Sequence, residues 1–160
     1  MAEMFLKLEG VDGESSDTAH PNEIEINSWG WGVDNPASFK IGQGGQSTQA
    51  NFSAIHINKI CDKASVALFK ACTTGKHIPS GKITCRKLDG DSKVEYLVID
   101  LTDLMVSNVS WSGSGSEQIL HETVSLVFSE FKQAYKLQQD TGDAGGATEF
   151  GFDIQSQKIS

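Results

Sequence analysis

The chain is short of most of what charged-ligand recognition or redox chemistry needs. Arg86 is its only arginine, and 13 Lys+Arg stand against 21 Asp+Glu for a formal charge of −8. Affinity for a nucleic-acid backbone comes mainly from neutralising phosphates with cations, so no nucleic-acid partner is expected and the surplus acid serves solubility. Three cysteines, Cys61, Cys72 and Cys85, cannot all pair within one chain, and their spacings match no C-x-x-C metal pattern. They read as reduced, buried thiols of a protein made in the cytoplasm. Long apolar runs are missing as well. The best stretches, residues 97–99 and 126–128, fall far short of a bilayer crossing, so no membrane insertion is expected. The amino-terminal MAEMFLKLEG has no basic segment, apolar core or small-residue cleavage site, and no signal peptide is expected.

Catalytic and cofactor signatures are equally scarce. No serine sits in G-x-S-x-G. The stretches GQGGQS and GSGSEQ lack the third glycine and the following helix of a dinucleotide site. Around Gly75-Lys76 the position of the first P-loop glycine is Lys70, and no Ser or Thr follows Lys76. Lys76 and His77 read instead as complements to the carbonyl end of a helix. His20-x-x-Glu23 has a metal-like spacing, but it lies on a loop with Pro21 between, and two ligands do not make a site. His20 reads as a turn residue whose ring bonds to backbone, and His56 and His121 as satisfied, partly buried imidazoles. Glu23/Glu25 and Asp100/Asp103 read as solvated strand edges. The one basic cluster, Lys82, Arg86 and Lys87, has Asp89 and Asp91 close behind and is expected to pair with acids within or between subunits. No catalytic residue, metal site or cofactor is expected, and the chain does not read as an enzyme.

What the chain does have is alternation. At 160 residues and 17.3 kDa it has the size of a single domain, whose folding removes roughly 17,000 Å² from water. Met4, Leu6 and Leu8 share one strand face. Ile24 and Ile26 start another strand, after which the apolar set jumps to Trp29, Trp31 and Val33. That jump requires a bulge, or a strand that leaves one sheet for another. Ile55 and Ile57, then Ile83 and Cys85, mark two more strands. Residues 94–101 are apolar on both faces, so they are expected to be covered on both, by a helix or another subunit. The apolar face of Val124, Leu126 and Phe128 flips to Phe131, Tyr135 and Leu137, and Phe150, Phe152 and Ile154 close the series. Many short strands between turn residues mean an all-β sandwich or barrel. A single helix over residues 63–73 breaks the pattern, capped by Asp62 and stopped by Gly75. Residues 41–50 and 110–118 are almost uncharged Gly/Ser/Gln-rich loops, the first long for a compact domain, and residues 140–148 read as a flexible connection to the last strand.

The order of Gly13-Glu14-Ser15, His20, Glu23-Ile24, Trp29-Gly30-Trp31-Gly32, Asp62-Lys63, Gly75-Lys76-His77, Pro79, Arg86-Lys87, Glu95-Tyr96-Leu97, Gly113-Ser114-Gly115 and Gly151-Phe152 closely resembles the Hcp family, the haemolysin-coregulated proteins of bacterial type VI secretion. The resemblance implies a mainly β fold: a compact β-barrel of two packed sheets with one flanking α-helix over about residues 62–74 and long extended loops, in one domain over residues 1–160. It also implies six-membered rings stacked into a hollow tube that meets sheath and spike proteins and carries small secreted effectors in its lumen. Such a tube is assembled in the bacterial cytoplasm and reaches the medium or a target cell without signal-peptide cleavage. The chain ends at Ser160, so no enzymatic extension is expected. Three sets of residues take roles within that resemblance. Gly42, Gln43, Gly44, Gly45, Gln46, Ser47, Thr48 and Gln49 form the loop expected to dock on the next ring. Leu97, Ile99 and Leu101 are expected at the subunit interface. Ser28 and Gly30, opposite Trp29 and Trp31, are expected to face the lumen. The alternatives are a monomeric β-sandwich binding carbohydrate through exposed aromatics such as Trp111, and a small hydrolase with scattered residues.

Overall fold

Alternation alone does not decide which strand faces are covered; that follows from how the strands pair. The computed structural model describes residues 2–40, 44–46, 49–138 and 144–160. In chain order the elements are β1 (Ala2–Leu8), β2 (Ile24–Glu25), β3 (Ser28–Gly30), β4 (Val33–Asp34), β5 (Ser38–Lys40), β6 (Gly44–Gln46), β7 (Asn51–Phe52), β8 (Ile55–Ile60), α1 (Ala64–Thr74), β9 (His77–Asp89), β10 (Ser92–Ser112), β11 (His121–Gln138), β12 (Ala144–Asp153) and β13 (Lys158–Ile159). Nine strands make one antiparallel sheet, ordered β13-β12-β11-β10-β9-β1-β2. In it β8 joins the first half of β11 and β3 joins β8, while β4–β7 and β5–β6 form two separate ribbons.

The two packed layers are two halves of this one sheet. Period two would keep buried residues on one parity, yet in β10 the buried set passes from Leu101 to Leu104. The neighbours shift in step: Leu101 and Leu104 pair with Gly81 and Ile78 of β9, and with Phe131 and Phe128 of β11. All three strands change face along one line. Asp103 marks it with φ 52°, a left-handed conformation that Asp tolerates better than most residues. The sheet therefore folds over, with Ile83, Ile99 and Phe131 lining one half of the core and Leu104, Val106, Val124 and Leu126 the other.

The ladder does not close into a continuous barrel; the chain bridges the gap. β2 pairs with β1 and β3 with β8. Between them the Ile26 amide donates to Met4 O at 3.1 Å and the Asn27 amide to Asn58 O at 2.8 Å. This step between edges is the change of partner that the jump from Ile26 to Trp29 requires.

Helix α1 covers the core at the end where β8 and β10 finish and β11 begins. Ala64, Ser65, Leu68 and Ala71 are its buried residues. Asp62 Oδ1 accepts the Ala64 amide at 2.9 Å at one end. At the other, Gly75 takes φ 66°, a left-handed stop that favours glycine. No helix among the described residues is long and apolar enough to cross a membrane. Of the stretch read as a flexible connection, residues 140–143 lie outside the described residues. Residues 144–148 belong instead to β12, where Ala144, Ala147 and Thr148 pair with Gln138, Lys136 and Tyr135.

Candidate functional site

Ser28 and Gly30 stand on an exposed, uncharged sheet face. Across β3, β8, β11 and β10 the register aligns Ser28 with Asn58, Thr123 and Ser110, and Gly30 with His56, Ser125 and Asn108. These residues alternate with the core residues Ile57, Val124 and Leu126, which is why the outer face is polar. Its side chains are bonded to one another. Asn58 Nδ2 donates to Ser28 Oγ at 3.0 Å, Thr123 Oγ1 to Asn58 Oδ1 at 3.1 Å, and His56 Nδ1 lies 2.8 Å from Ser125 Oγ. A side chain at Gly30 would meet nothing within 4 Å. Between Ser28 and Gly30, Trp29 turns into the core, where its Nε1 donates to Cys85 Sγ at 3.3 Å. Burial raises that thiol's pKa, opposed by the Trp29 bond. His56 is exposed rather than partly buried as expected.

The expected interface strand needs correction. Ile99 and Leu101 are each 1 % exposed within the protomer's own core, and Leu97 is half-buried against it. Ile99 and Leu101 offer no free surface, and Leu97 offers part of one. Their face nevertheless continues past the core. Tyr135 lies opposite Leu97, and the Phe150 ring sits 5.7 Å from that of Phe131. Tyr135 is 45 %, Leu137 61 % and Phe150 40 % exposed, so on this face the exposed apolar side chains are on β11 and β12.

The second face of residues 94–101 is covered partly from within. The segment between β1 and β2 folds over the outer side of β1 and β9. There Gly13 packs so tightly on Glu23 that an added Cβ would lie 2.5 Å from its carbonyl oxygen. His20 stacks on Phe5 at 4.5 Å, its Nδ1 meeting the Glu23 carboxylate and its Nε2 lying 2.7 Å from Glu95. Its ring thus bonds two carboxylates, not backbone. The buried Arg86 donates to Glu3 at 2.9 and 2.6 Å and to Asp17 at 3.0 and 2.6 Å. The guanidinium holds the Asp17 carboxyl well below the usual carboxylate range, and Asp17 in turn raises Arg86. Lys82 pairs with Asp100 at 3.6 Å.

A second buried network carries no linear motif. Lys59 Nζ, with its side chain 0 % exposed, donates to Glu122 at 2.5 Å, Asp62 at 2.9 Å and Ser65 at 3.2 Å. Trp111 Nε1 donates to the other oxygen of Glu122, and the Trp111 ring lies 5.0 Å from Phe69 on α1. The available signal was parity: Lys59 continues the inward series Ile55, Ile57, and Glu122 the series Leu126, Val124. His121 is exposed and faces Glu117 at 3.2 Å, and His77 opens β9 and its ring pairs with Asp103 at 2.9 Å. Of the expected docking loop, Gly42, Gln43, Ser47 and Thr48 lie outside the described residues, while Gly44, Gly45 and Gln46 form β6. Beside it on β5, Phe39 is 88 % exposed.

This arrangement matches known proteins across nearly its whole length. A family model described as "Type VI secretion system effector, Hcp" matches residues 5–135. Protein hcp1 of Pseudomonas aeruginosa is 39 % identical over 154 residues, covering 96 % of this chain and 95 % of that protein. The structure of a type six secretion system protein superposes with a TM-score of 0.93 at 29 % identity, covering all of both chains. Hcp1 from Salmonella typhimurium does so with a TM-score of 0.80 at 39 % identity over 99 % of each. With its family model, its relatives and its folded-over sheet in agreement, the chain belongs to the Hcp family of type VI secretion proteins.

Proposed function

We propose that this chain is a structural subunit that closes into six-membered rings, stacks them into a hollow tube and carries small effectors in the lumen. The observation that carries the reading is the apolar face of β11 and β12 that outruns the core. Tyr135, Leu137 and Phe150 are large side chains left 40–61 % exposed on the protomer, and such a patch marks a contact surface. A ring needs a heterologous contact, one patch meeting a different patch on the neighbour, and repetition around the circle multiplies modest affinities.

In this reading Ser28 and Gly30 line the lumen. Their face is polar and uncharged, suited to weak, exchangeable hydrogen bonds with passing cargo. The loop of residues 42–49, beside the exposed Phe39, makes the ring-to-ring contact. Sheath and spike proteins are the further partners, assembly takes place in the cytoplasm, and export follows through the secretion apparatus without signal-peptide cleavage. No catalysis is assigned. Trp111 does not present a free N–H for sugar recognition, since Glu122 holds it.

Size-exclusion chromatography with light scattering, followed by negative-stain microscopy, tests the assembly directly. Rings of about six times 17.3 kDa are expected, and a solitary protomer at every concentration overturns the reading. Gly30→Glu tests the lumen: ring mass stays unchanged while co-purification of a cargo protein falls. Unchanged cargo retention removes Gly30 from the lumen.

A further inference from the structure

Helix α1 turns a cationic and apolar surface outwards in a chain of net charge −8. Residues 63–77 contain Lys63, Lys70 and Lys76 and no Asp or Glu, and these lysines form no ion pair among the described residues. The neighbouring acids are engaged: Asp62 with Lys59, Asp103 with His77, Glu117 with His121. Lys63, Val66 and Lys70 follow at helical spacing along one exposed stripe. Beside it, Val66 is 69 % exposed, and Phe69, Trp111 and Leu120 are each about half exposed. The Phe69 and Trp111 rings are in contact, and Leu120 lies over Gly113 just beyond them at the end of β10.

The strip is held rigidly. Trp111 donates to Glu122, Glu122 accepts from Lys59 and Ser65, and Ser65 belongs to the first turn of α1. One buried network thus fixes indole and helix together, and aromatic groups fixed before binding lose little entropy when a partner arrives.

We propose that this face docks an acidic, amphipathic segment of a partner protein, with two apolar side chains one turn apart resting on Val66, Phe69 and Trp111 and carboxylates meeting Lys63, Lys70 and Lys76. Charge selects the occupant. A second copy meeting it helix to helix would set lysine against lysine, and an anionic membrane would repel the rest of a chain at −8. A second copy meeting it through a different patch is told apart by ring mass. The inference holds whether or not rings form. With α1 about 16 Å long, a partner helix of three turns is the matching length.

The test uses the full chain and a fluorescent synthetic 14-residue helical peptide with two leucines one turn apart and flanking glutamates. The same peptide with lysine for each glutamate is the control. Anisotropy titration is expected to show binding of the glutamate peptide that weakens as salt rises, and none of the lysine peptide. K63E/K70E/K76E is expected to lose tenfold or more, and F69A a similar amount. K136E/K158E, which places the same reversal elsewhere, is expected to bind as the wild type does. Circular dichroism and ring mass are expected to stay unchanged in all variants. Equal binding by the triple variant, or equal binding of the two peptides, overturns the proposal. A change of ring mass in the triple variant assigns the face to a second copy instead, and co-flotation with phosphatidylserine vesicles but no peptide binding assigns it to a membrane.

Discussion

The two ends of the long strands β9–β11 meet water in opposite ways. At the α1 end the inward series Ile55, Ile57 and Leu126, Val124 finishes in Lys59 and Glu122, and helix and indole close over that pair. At the far end Gln133 and Thr148 interrupt the inward face, yet Tyr135, Leu137 and Phe150 on it stay 40–61 % exposed, and no charged pair or helix among the described residues closes over them. A chain that functioned alone would gain by ending both faces in polar groups. The buried side of the α1 end is finished that way, and the far end is the one that the proposed ring contact would complete.

The sharpest way to break this contrast is at Glu122. Glu122→Ala leaves the Lys59 ammonium buried with only Asp62 and Ser65 and strips Trp111 of its acceptor. Breaking a buried pair by removing one partner costs about 3–5 kcal/mol, read as a lower urea midpoint. Lys59→Met combined with Glu122→Leu removes both charges and is expected to recover much of that loss. If Glu122→Ala alone is neutral, the closed end is not closed by this pair.

Next in size come truncations inside the closed half. Leu126 is fully buried, and Leu126→Ala is expected to cost about 2–5 kcal/mol, because the surrounding sheet collapses only partly into the space. A value near zero would mean that the protomer core is looser than its packing implies.

Much of this half was legible from residue order. The helix, its Asp62 cap and its Gly75 stop follow from local chemistry, and the strand that changes partners after Ile26 was readable as a break in parity. Two features were not legible in that way. The fold line through Asp103 needs three strands to shift together, and a pairing register is a long-range fact that no single window contains. Arg86 was expected to pair with acids and does, but that Glu3 and Asp17 are its partners follows only from the segment after β1 folding back over the sheet. Likewise Ile99 and Leu101 followed a real apolar stripe, but pattern alone could not say where the protomer's own cover stopped.

The Arg86 network carries a smaller, pH-dependent effect. Because the folded protein holds the Asp17 carboxyl below its usual range, the unfolded chain takes up that proton first as pH falls. The stabilisation is fully present above the unfolded value and is lost as pH drops from about 4 toward the folded value. Asp17→Asn removes this contribution, so its urea midpoint is expected to fall less steeply below about pH 4 than that of the wild type. Parallel curves would mean that the Asp17–Arg86 bonds do not persist in solution.

The smallest effect on the protomer is the most telling for the contrast. Leu137 is 61 % exposed, so Leu137→Ser removes little buried area and is expected to change protomer stability by less than about 0.5 kcal/mol in urea. The same substitution places a hydroxyl in a contact that assembly would bury, and burying it without a partner is unfavourable. The expected outcome is therefore a normally folded chain whose ring mass in light scattering declines on dilution at concentrations where the wild type stays assembled. Leu126→Ala should show the reverse, a weakened fold with the contact surface intact. If both variants lose stability and assembly in proportion, the two ends are one cooperative unit, and the division between a closed and an open half fails.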